Sequence, residues 1–212
     1  MTTLNHMLAM VRLELGDVEA LNQQWSPETL EHALQHAIDL YSQAAPRQLK
    51  SVLAAPGGTR DLSLSALTGR LGVEAVEYPA GQYPAVYAPF SVWGDTLTLL
   101  VDTVPTAGES VNLYWTAVHT LDAAGCSLPA AAERLVVTGA AALAALEQAA
   151  VAANRVNAGG EATAERFLAW GKERLAQFEQ GIAGRRRKQG LLPRRLYTPA
   201  GAPPARLSQL EV

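Results

Sequence analysis

Residues 96–118 read TLTLLVDTVPTAGESVNLYWTAV and predict two antiparallel β-strands joined by a turn. The apolar residues alternate in two runs, Leu97, Leu99 and Val101 and then Val111, Leu113 and Trp115. A period of two is typical of a strand with one buried face. The turn signal between the runs is Thr106-Ala107-Gly108, because glycine and small polar residues favour reversal of the chain.

Sequence of the same type extends over residues 51–120. Turn signals about every ten residues separate short β-type segments, which predicts a small antiparallel sheet or barrel. The predicted strands are Asp61–Ser65, Val73–Tyr78, Ala85–Val92, Thr96–Asp102 and Ser110–Val118. Aromatic residues concentrate here, and two interpretations are open: they form the core of the sheet, or Tyr83, Tyr87, Trp93 and Trp115 line a ligand pocket.

Helical patterns precede this β segment. Residues 3–15 carry apolar side chains at helical spacing and end at Gly16-Asp17, which favours a helix C-terminus. Ser26-Pro27-Glu28 is a strong helix start, since serine caps the N-terminus and proline suits the first helical position. This second helix is expected to run to about Ala45, before Pro46.

Helical patterns also follow the β segment. Ser127-Leu128-Pro129 predicts a helix start, and an Ala-rich helix is expected from Ala130 to about Asn157. A last helix is predicted from Glu161 to about Ile182, with Gly184 as its cap. The predicted fold class is α+β, with a four-helix bundle-like domain (residues 1–50 and 121–184), an inserted antiparallel β module (51–120) and an extended C-terminal arm (185–212).

This C-terminal segment, residues 185–212, reads RRRKQGLLPRRLYTPAGAPPARLSQLEV and is called the basic arm below. Its net charge is +6 while the whole chain carries −3, so residues 1–184 carry −9. Opposite charges on body and arm favour association of protein subunits over binding to a uniform polyanion. Arginine and aromatic anchors are typical of protein interfaces. The candidate partner-binding residues are Arg185, Arg186, Arg187, Lys188, Leu191, Leu192, Arg194, Arg195, Leu196 and Tyr197.

The sequence offers little support for catalysis, metal binding or a cofactor, and none is predicted. His32 and His36 are spaced as a metal pair would be, but the helical pattern places them on the solvent face without a third ligand. Cys126 stands alone, which excludes an intramolecular disulfide. Its place before a helix start would favour the thiolate somewhat, but the preferred interpretation is an incidental small residue in a turn. No signal peptide is recognised, and no apolar run approaches the roughly 20 residues of a membrane span.

The order of these segments resembles the head-to-tail adaptor (connector, or head-completion) proteins of tailed bacteriophages. The resemblance rests on three parts of the chain. The first is MLAMVRLELGDVEALNQQWSPETLEHALQHAIDLYSQAAPR, residues 7–47. The second is VNLYWTAVHTL, residues 111–121, with Leu128-Pro129 and the helix ERLVVTGAA, residues 133–141. The third is the basic arm.

The resemblance implies a structural virion protein without a catalytic step. Copies would form a homo-oligomeric ring, typically of twelve, on the portal protein, and would extend the DNA channel without binding DNA specifically. The arm would dock on the portal, and a downstream neck or tail protein would bind the ring. The protein would be made in the host bacterial cytoplasm and reside in the head–tail neck, away from membranes. Open alternatives are a neck stopper or tail-completion protein, and a DNA-binding protein that uses the basic tail.

Overall fold

A computed structural model describes the backbone of residues 2–153 and 163–191, with the side chains of residues 2–153 and 164–185. This part of the chain contains four α-helices and six β-strands. The helices are α1 (Leu4–Leu15), α2 (Pro27–Ala44), α3 (Ala130–Ala153) and α4 (Thr163–Leu191). The strands are β1 (Arg47–Ala54), β2 (Asp61–Ser63), β3 (Arg70–Glu77), β4 (Phe90–Trp93), β5 (Thr96–Leu99) and β6 (Ser110–Ala117).

The fold class is α+β, as predicted. The chain up to Pro46 and from His119 through α4 forms one compact unit, the helical unit. Arg47–Val118 forms the other, the β unit. The β unit is therefore inserted between the second and third helices, and each unit has its own hydrophobic core.

The predicted ends of the first two helices are confirmed. Thr3 and Ser26 cap α1 and α2, each side-chain oxygen accepting a hydrogen bond from a backbone N–H of the first turn. Gly16 ends α1 with φ of +71°, a left-handed conformation that glycine adopts without steric cost. These local signals were readable because capping involves only neighbouring residues.

The helical unit is held together by close packing of α3 on α4. Phe178 is fully buried over Gly139, where an added Cβ would lie 2.8 Å from the ring. A Cβ at Gly181 would similarly lie 2.5 Å from Leu135. Small residues at these positions let the two helix backbones approach closely enough to enclose large side chains from the partner helix.

The β unit consists of two three-stranded antiparallel sheets, ordered β1-β6-β3 and β2-β5-β4. The predicted alternation is confirmed, since one face of each central strand supplies the core. Leu97, Leu99, Val111 and Leu113 are completely buried. Burial of a leucine or valine side chain stabilises a fold by about 1.5–3 kcal/mol, so these residues make a major contribution to the core of this unit.

Two strands differ from the prediction. β1 begins at Arg47, directly after Pro46, and was not recognised because Arg47 and Lys50 interrupt its weak alternation. The strand expected over Ala85–Val92 is confined to Phe90–Trp93. Pro84 and Pro89 explain the loss, because proline has no N–H to donate to a strand ladder.

The predicted end of α4 is wrong. The helix does not stop near Ile182 but continues to Leu191, so the first seven residues of the basic arm are helical. Gly184 lies inside the helix and is not among the glycines with positive φ. Arginine, lysine, glutamine and leucine are good helix formers, and the next strong stop signal is Pro193. Residues 192–212 lie outside the described residues, as does the predicted end of α3 at Asn157.

Helix α3 differs from the expectation that no segment has the length and hydropathy of a membrane span. By length and composition alone its 24 residues would suffice, with a mean hydropathy of 1.7. Half of this apolar stretch of α3 is buried within the protein. A helix that is apolar on all sides is also typical of the core of a water-soluble domain, and α3 packs against α1, α2 and α4.

Candidate interaction surfaces

The motifs Leu15-Gly16-Asp17 and Trp25-Ser26 lie at the two ends of the loop between α1 and α2, and hydrogen bonds hold this loop together. Arg12 donates to the Asp17 carboxylate at 2.5 Å and to the backbone carbonyl of Trp25 at 3.1 Å. The other Asp17 oxygen accepts from the Gln24 N–H at 2.7 Å. Asp17 is 5% exposed, so this paired carboxylate fixes the path of the chain into the cap of α2.

A cavity of about 480 Å³ opens beside this loop. It lies where the end of α1 meets the beginning of α4. Its lining residues are Leu13, Glu14, Leu15, Gly16, Trp25, Arg166, Phe167 and Trp170. Sequence reasoning missed it because its walls come from segments about 150 residues apart. We refer to it as the aromatic cavity.

The aromatic walls of this cavity are fixed in position. Trp25 meets Phe167 edge to face, with ring centroids 5.7 Å apart and an interplanar angle of 83°. The Trp25 indole N–H donates to the Ala144 carbonyl at 3.2 Å. Arg174 lies 5.5 Å above the Trp170 ring, a distance typical of a cation–π contact. The cavity is therefore a preformed apolar recess with a charged residue of each sign in its wall.

Arg185, the first predicted partner-binding residue, contacts the body of its own chain. Its guanidinium donates to the Tyr41 hydroxyl at 3.2 Å and also to the Ala131 carbonyl. It lies 5.5 Å from the centroid of the Tyr41 ring. Arg185 therefore fastens α4 to both α2 and the first turn of α3. We refer to this arrangement as the Arg185 clasp.

The other predicted arm residues fall into two groups. The backbone of Arg186, Arg187, Lys188 and Leu191 continues α4, and cations near a helix C-terminus are favoured by its dipole. Leu192, Arg194, Arg195, Leu196 and Tyr197 lie outside the described residues. Their binding to a partner stays a prediction.

His119, which sequence reasoning did not single out as functional, stabilises the end of α2. It is 5% exposed, with Nε2 3.1 Å from the Ala45 carbonyl and Nδ1 3.0 Å from the Ser127 carbonyl. Its backbone N–H donates to Ser42 Oγ at 2.9 Å. The position immediately after the VNLYWTAV strand could have suggested this role, because the chain enters the helical unit there.

The histidine pair of α2 and the single cysteine form neither a metal site nor an activated nucleophile in the described part of the chain. His32 and His36 are exposed on α2, and among the described residues no three His, Cys, Asp or Glu side chains are grouped to hold a metal ion. Burial raises the pKa of the Cys126 thiol; a hydrogen bond from the Leu128 N–H opposes this, while Glu133 and Asp122 add to it. The expectation of a favoured thiolate is therefore wrong, because burial outweighs the helix start.

The aromatic residues of the β unit neither all form its core nor line the aromatic cavity. Trp115 is buried, and its indole N–H donates to Ser51 Oγ at 3.0 Å. Tyr87 is half-buried and lies 6.1 Å from the ring of Tyr114. Tyr83 and Trp93, by contrast, are 100% and 90% exposed. Tryptophan and tyrosine are enriched at protein interfaces, which makes these two candidate contacts.

A buried carboxylate organises the loop that carries Tyr83. Glu77 accepts from the Gly81 N–H at 3.0 Å and from the Tyr114 hydroxyl at 2.9 Å. Burial acts to raise the pKa of Glu77, but these hydrogen bonds, one from Asn112 and the charge of Lys50 outweigh it and lower the pKa. Glu77 is thus held as a carboxylate that shapes the loop, and its donors leave no geometry for acid–base chemistry.

The fold and these surfaces define an α+β protein whose prominent described features suit association with other macromolecules. No family model matches the chain, and no curated protein matches it. The solved structures that are similar include two of gene transfer agent particles. "Neck of empty GTA particle computed with C6 symmetry" is 18% identical, with 76% of this chain and 87% of that chain covered and a TM-score of 0.29. "Virion of native gene transfer agent (GTA) particle" is 18% identical, with 78% and 88% covered and a TM-score of 0.30. Likeness of this degree carries no argument about function, which must rest on the residues of this chain.

Proposed function

We propose that this protein is a structural component of the neck of a phage-like virion. Copies form a ring, of about twelve subunits as the resemblance implies, that attaches to the portal, connects head to tail and extends the DNA channel. The observation that carries the proposal is the combination of an acidic body with a basic C-terminal arm. The resemblance to head-to-tail adaptor proteins supports it, because the first two of the three stretches each have a defined place in the fold.

The physical roles of the first two stretches support this reading. The N-terminal stretch forms α1, α2 and the Asp17-centred loop. The second stretch forms β6 and delivers His119 to the end of α2. These contacts are structural, and they build a scaffold instead of a reaction centre. A role without catalysis is the proposal that fits such a scaffold.

The charge distribution supports passage of DNA without specific binding. Residues 1–184 carry −9, and like charge on a channel wall repels a phosphate backbone. The arm carries +6 and would pair with acidic residues of the portal. Leu192, Leu196 and Tyr197 would fill apolar pockets there, since interface anchors combine cationic and large apolar side chains. The opposite surface of the ring would receive a downstream neck or tail protein.

Removal of the part of the arm beyond α4 tests the proposal. The truncation begins after Leu191, because α4 extends to this residue and the Arg185 clasp belongs to the folded body. We expect the chain lacking residues 192–212 to keep its helical and β signals in circular dichroism and to lose co-sedimentation with portal rings. Undiminished binding of the truncated chain to portal rings would overturn the proposal.

A charge-matched pair of variants separates a specific arm contact from general electrostatics. Arg194→Glu with Arg195→Glu changes the arm, whereas Arg134→Glu with Lys172→Glu makes the same charge change at exposed positions of the helical unit. Only the arm variant is expected to lose portal binding. Equal loss in both would indicate an unspecific charge effect. Tight, strongly salt-dependent binding of the intact protein to duplex DNA would instead favour a DNA-binding role.

A further inference from the structure

The β unit presents a tryptophan on a rigid turn. Trp93 is 90% exposed at the turn between β4 and β5. Arg70 braces this turn by donating to the Gly94 carbonyl at 2.9 Å and to the Asp95 carboxylate at 2.8 Å. The Leu64 N–H also donates to the Asp95 carbonyl at 2.8 Å. A fixed turn holds the backbone of Trp93 in place before binding, which lowers the entropy that a contact must overcome.

The strand that carries Trp93 is an uncovered edge. Among the described strands β4 pairs with β5 alone. Ser91 and Val92 are exposed beside Trp93, and none of the residues Phe90–Trp93 is charged. Edge strands in soluble proteins are commonly protected by charge, proline or a covering element. An apolar, unprotected edge with an exposed indole therefore indicates a surface that is covered in an assembly.

The helical unit holds a recess of suitable size and chemistry. The aromatic cavity measures about 480 Å³, enough for an indole, and its Trp25, Phe167 and Trp170 walls offer edges and faces to another ring. Leu13 stands at its mouth with 71% of its surface exposed. The same chain thus carries both an apolar projection and an apolar recess.

Charges around the projection and the recess are complementary. Asp95, with 73% of its side chain exposed, and Arg70 flank Trp93. Arg166 and Glu14 belong to the wall of the aromatic cavity. Arg70 is committed to the turn, whereas the exposed Asp95 carboxylate can accept a further contact, so insertion of Trp93 can set Asp95 towards Arg166. Such pairing would fix the register of the contact more than its strength.

We propose that Trp93 of one copy inserts into the aromatic cavity of a second copy of this chain. The two surfaces differ, so the contact is head-to-tail, and repetition of a head-to-tail contact closes into a ring when its rotation permits. The inference rests on the proposed function for the closed ring, but the pairwise contact can be measured in the absence of any portal. Each subunit would then supply Trp93 to the aromatic cavity of its neighbour.

Cross-linking between two differently tagged proteins tests the contact. Both carry Cys126→Ser, so that each engineered cysteine is alone. One carries Ser91→Cys, which keeps Trp93 and lies on the same side of β4 because alternate strand residues share a face. The other carries Leu13→Cys at the mouth of the cavity. A short bismaleimide is expected to join the two proteins into a dimer bearing both tags.

Three further variants decide the outcome. Val52→Cys, at a 62% exposed position of β1, replaces Ser91→Cys as a control and should give little heterodimer. Trp93→Ala added to the Ser91→Cys protein should lower the yield at least about tenfold, as expected for a central anchor, while Trp93→Phe should retain most of it. Yield equal to the Val52→Cys control, or undiminished by Trp93→Ala, would overturn the inference.

The cross-linking and truncation experiments together distinguish failure of this inference from failure of the proposed function. If cross-linking depends on Trp93 but arm truncation leaves portal binding intact, the contact between copies stands and portal docking by the arm does not. If arm truncation abolishes portal binding but cross-linking is independent of Trp93, the reverse holds. Unchanged thermal unfolding of the Trp93→Ala protein will establish that any loss of cross-linking is not a loss of fold.

Discussion

The helical unit buries or half-buries its described aromatic residues, whereas the β unit exposes two of its own, Tyr83 and Trp93. In the helical unit Trp25, Tyr41 and Phe178 are buried, and the most exposed apolar side chain is that of Leu21. In the β unit the core is mainly leucine and valine, while Tyr83 and Trp93 face solvent. Aromatic side chains bury the most area per residue. The helical unit uses that area for its own fold, and the β unit leaves it free for contacts.

This comparison predicts that substitution of aromatic residues affects stability in one unit and assembly in the other. The largest effect is expected at Phe178. Phe178→Ala should lower the free energy of unfolding by about 3–5 kcal/mol, because a fully buried ring is lost and α3 cannot move far enough to fill the space. Chemical denaturation of the full chain measures this. A cost below about 1 kcal/mol would mean that α4 does not depend on this ring.

The next effect concerns the space beneath Phe178. Gly139→Val should lower the free energy of unfolding by about 2–3 kcal/mol, since a Cβ there would lie 2.8 Å from the ring and overpacking strains a dense core. Gly184→Val is the matched control, because nothing lies within 4 Å of a Cβ at that helical position. The control should change stability by no more than about 0.5 kcal/mol. Similar costs at both sites would contradict close packing of α3 on α4.

A smaller effect is expected in the β unit at Glu77. Glu77→Gln should lower the free energy of unfolding by about 1–2 kcal/mol at neutral pH, because hydrogen bonds to a charged acceptor are replaced by weaker ones. The pKa of Glu77 is lowered in the folded protein, so its stabilising contribution is present above the usual glutamate range. It disappears as the pH falls through the folded pKa. Denaturant unfolding across this range should show the two proteins converging at acidic pH.

Exposed Glu31 on α2 provides the control for that experiment. Glu31→Gln should leave both the stability and its pH dependence close to those of the unchanged protein. If the difference between the Glu77→Gln protein and the unchanged protein grew towards acidic pH, the assigned direction of the pKa change would be wrong.

The smallest effect on stability is expected at Trp93. Trp93→Ala should change the free energy of unfolding by less than about 0.5 kcal/mol, because 90% of this side chain is already exposed. Thermal unfolding of the full chain measures this. A cost comparable to that of Phe178→Ala would remove the contrast between the two units, since Trp93 would then serve the fold of its own chain.

The sequence predicted what depends on near neighbours. The cap Ser26, the stop at Gly16 and the alternation around Leu97 and Leu113 all act within a few residues. The end of α4 was missed because Gly184 was taken as a cap, although helix-forming residues follow it up to Leu191. A glycine alone does not distinguish a helix end from a helix interior.

The candidate surfaces were less predictable for a different reason. Trp93 and Trp115 both lie in β-type sequence, yet one is exposed and the other buried. That difference depends on the pairing of β4 and β6 within separate sheets, which a single-strand pattern does not contain. The aromatic cavity depends on α1 meeting α4 across most of the chain. Long-range packing of this kind has no local signature.

The Arg185 clasp has a mechanical consequence. A force applied to the chain beyond Leu191 acts first on the last turns of α4. The contacts of the Arg185 guanidinium with Tyr41 and Ala131 lie along α4 between Leu191 and Phe178. Breaking them first would dissipate load before the core is reached. If the arm is attached to a partner, as proposed, these contacts would bear the load first and leave the packing of α4 on α3 undisturbed.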